Sequence, residues 1–101
     1  MILYNVTVNI DNAVHDEWLN WMRTVHVPEV MATGCFVQNK IARLLTEEEN
    51  GGTTYSFQYF APSMEAYVDY QNTYAAALQA DHTKRYKDRF VAFRTLLEIL
   101  E

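Results

Sequence analysis

The chain has 101 residues, a formal net charge of −5 and 50% hydrophobic residues, which is enough for one packed domain and too little for two. The acidic balance argues against nonspecific binding to nucleic-acid phosphates, and no apolar run approaches the ~20 residues that span a bilayer, so neither nucleic acid nor membrane is an expected partner. A lone cysteine, Cys35, excludes an internal disulfide, and "MILYNVTVNI" lacks the basic flank and cleavage site of a secretory leader, so the expected location is the cytoplasm.

Residues 2–10 alternate, with Ile2, Tyr4, Val6, Val8 and Ile10 set against Leu3, Asn5, Thr7 and Asn9. A period of two predicts a strand with one strongly apolar face. Asp11 or Asn12 can cap the helix that follows. Val14, Trp18, Trp21, Met22 and Val25 then recur at spacings of three and four, which makes one apolar helical stripe. Pro28 disfavours helical geometry at Val27, so the first helix is expected to stop near His26. The stretch "PEVMAT" suits a short second turn that Gly34 ends in a left-handed conformation. On this reading His26 sits at a helix C-terminus, where the partial negative charge favours its protonated form.

"CFVQNKIARLL" (35–45) and "TTYSFQYFA" (53–61) predict two strands joined by the polar loop "TEEENGG". The loop carries Glu47, Glu48 and Glu49 as one acidic run, while Lys84, Arg85, Lys87 and Arg89 form a basic cluster. Both read first as solvated surface. Ser63 offers an N-cap to a second long helix with Tyr67, Tyr70, Tyr74 and Leu78 as its stripe, running to about Ala80. Asp81 is the expected cap of a further short turn through Tyr86. "RFVAFRTLLEI" (89–99) reads as the last strand.

The order is β-α-β-β-α-β, an α+β fold of ferredoxin-like type over residues 1–101. Both helices are expected on one face of a four-stranded antiparallel sheet. Tyr4, Val6 and Val8, with Tyr55, Phe57 and Tyr59, are assigned to the helix-covered face. Leu3, Asn5, Thr7, Asn9, Thr54, Ser56, Gln58 and Phe60 go to the open face, and the alternate set Phe90, Ala92, Arg94, Leu96 and Glu98 is expected to join them. Leu3, Phe60, Phe90 and Leu96 left in water form an apolar patch unusual for a monomer, so a homodimer through the sheet faces is expected.

"WLNWMRTVHVPEVMATGCF", "EEENGGTTYSFQYF" and "RFVAFRTLLEIL" carry a resemblance that covers nearly the whole chain. The chain resembles a bacterial family of short proteins known as a domain of unknown function (family 4286), through "H-x-P-x-V-M-x-T-G-x-F" at 26–36 and "R-F-V-A-F-R-T-L-L-E" at 89–98. That family looks like a member of the dimeric α+β barrel group, with antibiotic-biosynthesis monooxygenases, muconolactone isomerases and stress-responsive A/B barrel proteins. The resemblance implies a homodimer with a pocket between sheet and helices, and no assigned activity.

The residues offer limited chemistry. His26 as base with Glu29 orienting it forms a candidate catalytic pair, against the simpler reading of a helix-end histidine beside a solvated glutamate. Asn5, Gln58 and Arg94 are candidate polar ligand-binding groups, and Trp21 a candidate aromatic contact, although Trp18, Trp21 and Met22 at helical spacing suit plain core. Arg94 on a strand needs a partner, either Glu98 or an anionic ligand. No metal-ligand spacing accompanies His15, His26 and His82, and no cofactor motif is present. A haem pocket would need a buried axial histidine, and nothing selects His26 or His82 for it.

Three functions follow as expectations. The first is a homodimeric small-molecule-binding protein or cofactor-independent enzyme, monooxygenase- or isomerase-like. The second is a structural or regulatory dimer without ligand. The third is single-stranded RNA binding on the sheet, which requires Tyr55, Phe57 and Tyr59 to face outward.

Overall fold

In the computed structural model, which describes residues 1–46 and 50–101, the alternating N-terminal segment is strand β1, Ile2–Asp11. The acidic run 47–49 lies outside the described residues. Strands β2 (Gln38–Arg43), β3 (Gly52–Ala61) and β4 (Phe90–Glu98) complete an antiparallel sheet of order β2-β3-β1-β4. This is the expected ferredoxin-like α+β arrangement. Cys35 and Phe36, expected inside the second strand, precede it as buried loop residues.

The first helical region departs from expectation. Asp11 caps its start, its side chain accepting from Ala13 N at 2.8 Å. A 3-10 turn (Asn12–Val14) leads into α1 (His15–Trp21), a π-helical stretch (Met22–His26) and α2 (Val27–Ala32), without a stop at His26. Val27 keeps helical angles before Pro28 (φ −61°, ψ −44°) and donates five residues back, to Met22 O. The widened turn is what accommodates proline, which has no N–H to give and whose ring would crowd the carbonyl one tight turn earlier. Thr24 Oγ1 donates to Asn20 O at 2.7 Å, satisfying a carbonyl where the ladder changes register. Gly34 ends the region in the left-handed conformation, φ 77°.

The second helical region breaks earlier than expected. Ser63 caps α3 (Met64–Thr73), and the chain bends at Tyr74 (φ −120°, ψ −32°) into α4 (Ala75–Tyr86). Asp81 therefore lies inside α4 and caps nothing. The bend lets two short helices follow the twisted sheet: α3 sets Tyr70 against Tyr4 and Phe36, and α4 sets His82 against Phe90.

Every aromatic contact from helix to sheet reaches one face. Trp18, fully buried, meets Tyr55 and Phe57 with ring centres 5.5 and 5.7 Å away. Tyr55, Phe57 and Tyr59 are thus core, and cannot stack bases. The register corrects β4: Val6 pairs with Arg94 and Tyr4 with Leu96. Directly paired residues share a face, so Phe90, Ala92, Arg94, Leu96 and Glu98 lie on the helix side. The open face takes Val91, Phe93, Thr95 and Leu97 instead. In β2, Gln38, Lys40 and Ala42 go to the open face by pairing with Phe60, Gln58 and Ser56. Among the described residues no helix is long and apolar enough to cross a membrane.

Candidate functional site

The sheet divides the sequence-predicted site residues between its two sides. Asn5 and Gln58 pair with each other on the open face. There they belong to a polar network: Gln58 Nε2 donates to Ser56 Oγ (3.2 Å), Ser56 Oγ donates to Asn5 Oδ1 (2.6 Å), and Asn5 Nδ2 donates to Thr7 Oγ1 (3.1 Å). Trp21, His26 and Arg94 lie on the helix side. They do not converge with Asn5 and Gln58.

His26 and Arg94 do meet. Both line a cavity of about 30 Å³ of water-accessible space between helices and sheet, walled by Tyr4, Val6, Met22, Phe57, Tyr59 and Tyr70, with Gln79 beside Arg94. Arg94 is exposed while most of the walls are buried, so the guanidinium stands at the mouth. Glu98 makes no ion pair with it among the described residues. Burial pushes the Tyr4 phenol up, against the opposing pull of Arg94 beside it. Burial likewise raises Tyr59 and Tyr70, so the phenols inside stay protonated and serve as donors.

His26 reaches this cavity because the π turn carries it there, in mid-helix and away from any helix end. The expectation of a favoured imidazolium is therefore overturned. Burial holds His26 neutral, with a pKa lowered to about 4 in spite of the upward pull of Asp81. Its Nδ1 is buried with no hydrogen-bond partner among the described residues, and Trp21 Nε1, whose ring lies 5.3 Å away, shares that condition. Glu29 is exposed and makes no hydrogen bond to His26; the carboxylate whose field reaches the imidazole is Asp81.

Sequence reasoning named His82 only as an unselected axial candidate and missed its place beside His26. His82 is buried, and its Nε2 accepts from Trp18 Nε1 at 2.9 Å, which places its own proton on Nδ1. Its ring centre is 5.8 Å from that of His26, and burial first, then His26, lowers its pKa to about 4. A separation of 56 residues hides this pairing from any local pattern. Replacing Trp18 with Phe keeps most of the ring volume and leaves the His82 acceptor without a donor. That change is expected to cost about 1–3 kcal/mol, measured by urea unfolding.

The remaining candidates have ordinary roles. Cys35 is buried, its thiol 3.6 Å from Asp69 Oδ2. Of the basic cluster, Arg85 lies over the Trp21 ring at 4.9 Å and Arg89 Nε pairs with Asp11 Oδ2 at 3.2 Å. Among the described residues no group of His, Cys, Asp and Glu could hold a metal ion.

Solved structures similar to this chain share its fold at low sequence identity. A dimeric ferredoxin-like protein from an uncultured marine organism superposes with TM-score 0.71 at 10% identity, covering 100% of this chain and 96% of that one. A variant of SnoaB, a cofactor-independent oxygenase from Streptomyces nogalater, gives TM-score 0.67 at 9% identity, covering 99% and 94%. A MhuD variant with two manganese protoporphyrin IX bound per active site gives 0.71 at 17% identity, covering 100% and 96%. No curated protein matches the chain. The pattern of one family, a domain of unknown function (DUF4286), matches residues 1–100, and the chain belongs to that family.

Proposed function

We propose that the protein is a cytoplasmic homodimer paired through its open sheet faces. Each protomer binds a small organic molecule at the His26–Arg94 cavity, either as a binding protein or as a cofactor-independent enzyme of monooxygenase or isomerase type. The observation that carries the reading is a neutral imidazole whose Nδ1 has no partner, and a guanidinium without an ion pair, among the described residues, lining one cavity. A neutral imidazole can take a proton from an acidic C–H or O–H, and Arg94 can hold the oxyanion that results. Tyr4 and Gln79, which line the same cavity, would complete the hydrogen bonding. At about 30 Å³ the cavity admits the reacting end of a ligand. The body would rest outside, against Leu96, which is exposed on the same face as Arg94.

The dimer reading rests on the open face. Val91, Phe93 and Leu97 stand exposed around the polar network of Asn5, Ser56 and Gln58. Those polar groups already hydrogen-bond to one another, which lowers the cost of covering them. SnoaB and the dimeric marine protein support this reading through their shared fold. A porphyrin does not fit: the cavity is far too small, and His82 would have to surrender its hydrogen bond with Trp18.

The test is ligand screening by thermal shift and calorimetry on wild type, Arg94→Gln and His26→Gln. Arg94→Gln is expected to weaken binding of an acidic ligand about tenfold or more, from loss of a charge-assisted hydrogen bond. His26→Gln should spare binding and remove turnover if the protein is an enzyme. Equal binding by all three proteins would refute the site.

A further inference from the structure

Three of the chain's eight lysines and arginines converge on one groove, at the sheet edge opposite Arg94. The groove runs between α1 with its π extension and the edge strand β2, and encloses about 540 Å³ of open space. Arg23 enters from the helix. Arg43 lies across from Tyr55 on the same face, and Lys40, whose register puts it on the open face, borders the groove at the strand edge. Leu19 and Ile41 supply apolar walls, and the floor is Tyr55.

Two observations separate this groove from an ordinary solvated surface. Among the described residues no carboxylate pairs with Arg23, Lys40 or Arg43, so two guanidiniums face one space, with Lys40 at its edge, in a chain of net charge −5. The floor is also clamped. The Tyr55 hydroxyl lies 2.6 Å from His15 Nε2, and His15 Nδ1 lies 2.8 Å from Asp16 Oδ1. With the Asp16 carboxylate accepting from Nδ1, Nε2 is free to accept the phenol proton. Tyr55 thus presents a fixed aromatic surface with no proton left to donate. The guanidiniums are the main donors, and guanidiniums match the flat fork of a carboxylate or phosphate.

We propose that this groove binds a small organic anion, a carboxylate or phosphate monoester on an apolar or aromatic body. Its head is held by Arg23 and Arg43, and its body lies on Tyr55 between Leu19 and Ile41. The site is distinct from the His26–Arg94 cavity and does not depend on the function assigned there.

The test titrates the full-length protein with phenyl phosphate, benzoate, inorganic phosphate and neutral phenol, followed by amide NMR shifts and calorimetry. At least one aryl anion is expected to saturate shifts at Leu19, Ile41 and Arg43, phenol is expected to produce none, and inorganic phosphate to bind more weakly than phenyl phosphate. The tighter aryl anion identifies the preferred head group. Arg23→Gln and Arg43→Gln, both at exposed positions, should each weaken binding about five- to tenfold, and added salt should weaken it further. Arg94→Gln should leave these shifts unchanged. The proposal is overturned if neither aryl anion shifts those amides, if phenol binds as well, or if the Arg23→Gln/Arg43→Gln double variant binds like wild type. Binding lost in Arg94→Gln alone would place the anion in the other cavity and sink this one.

Discussion

Replacing Phe93 with arginine is expected to turn the proposed dimer into a monomer at micromolar concentration, read by light scattering across a dilution series. Phe93 is 65% exposed in the protomer, so the change removes no core contact and the circular dichroism should stay unchanged. In a two-fold pairing of open faces each substitution occurs twice, and two guanidiniums would be buried near one another without partners. The penalty is several kcal/mol, enough to abolish an interface of ordinary size. A wild-type protein that is already monomeric, or a variant that still dimerises, would refute pairing through this face.

Acid is expected to destabilise the protein well before its surface carboxylates matter. His26 and His82 both have pKa values lowered to about 4 by burial, from an ordinary 6.5. Above pH 6.5 both are neutral folded or unfolded, and the fold carries no penalty. Between 6.5 and about 4 the unfolded chain takes up protons that the folded chain refuses, so stability falls as pH falls. Each histidine contributes about 2–3 kcal/mol of loss across that window. Protonation of His82 Nε2 also ends its acceptance from Trp18. Arg94 opposes a positive charge on either ring and Asp81 favours it, and burial outweighs both. Urea unfolding at pH 7, 5.5 and 4 should show the decline, and His26→Gln should flatten part of it. A stability that stays level over this range would contradict the neutral, buried pair.

Much of the fold was legible because β1 and β3 alternate cleanly. Tyr4 and Val8, with Tyr55, Phe57 and Tyr59, lie where a period of two puts them, under the helices. In β4 the pattern is ambiguous: Phe90, Ala92 and Leu96 on one parity compete with Val91, Phe93 and Leu97 on the other. Only the pairing of Val6 with Arg94 decides between them, and pairing is a long-range fact. That one uncertainty moved Arg94 across the sheet and took Asn5 and Gln58 out of its company. Pro28 misled for a different reason. The rule that proline discourages helix at the preceding residue assumes an ordinary turn, and this chain widens the turn instead. His82 carried no local signal at all, since its partners Trp18, Trp21 and His26 come from the other helical region.

The widened turn from Met22 to His26 has an evolutionary corollary. Such a turn spends one more residue than an ordinary helix needs, so it behaves as a single-residue insertion. Excising one residue there would restore an ordinary helix: the segment after it keeps its register, while the residues inside the turn shift by about 100° around the axis. The imidazole would leave its niche while the hydrophobic stripe before it stayed in place. Descendants of this sequence can therefore discard the role proposed for position 26 by one codon's worth of length, without redesigning the sheet.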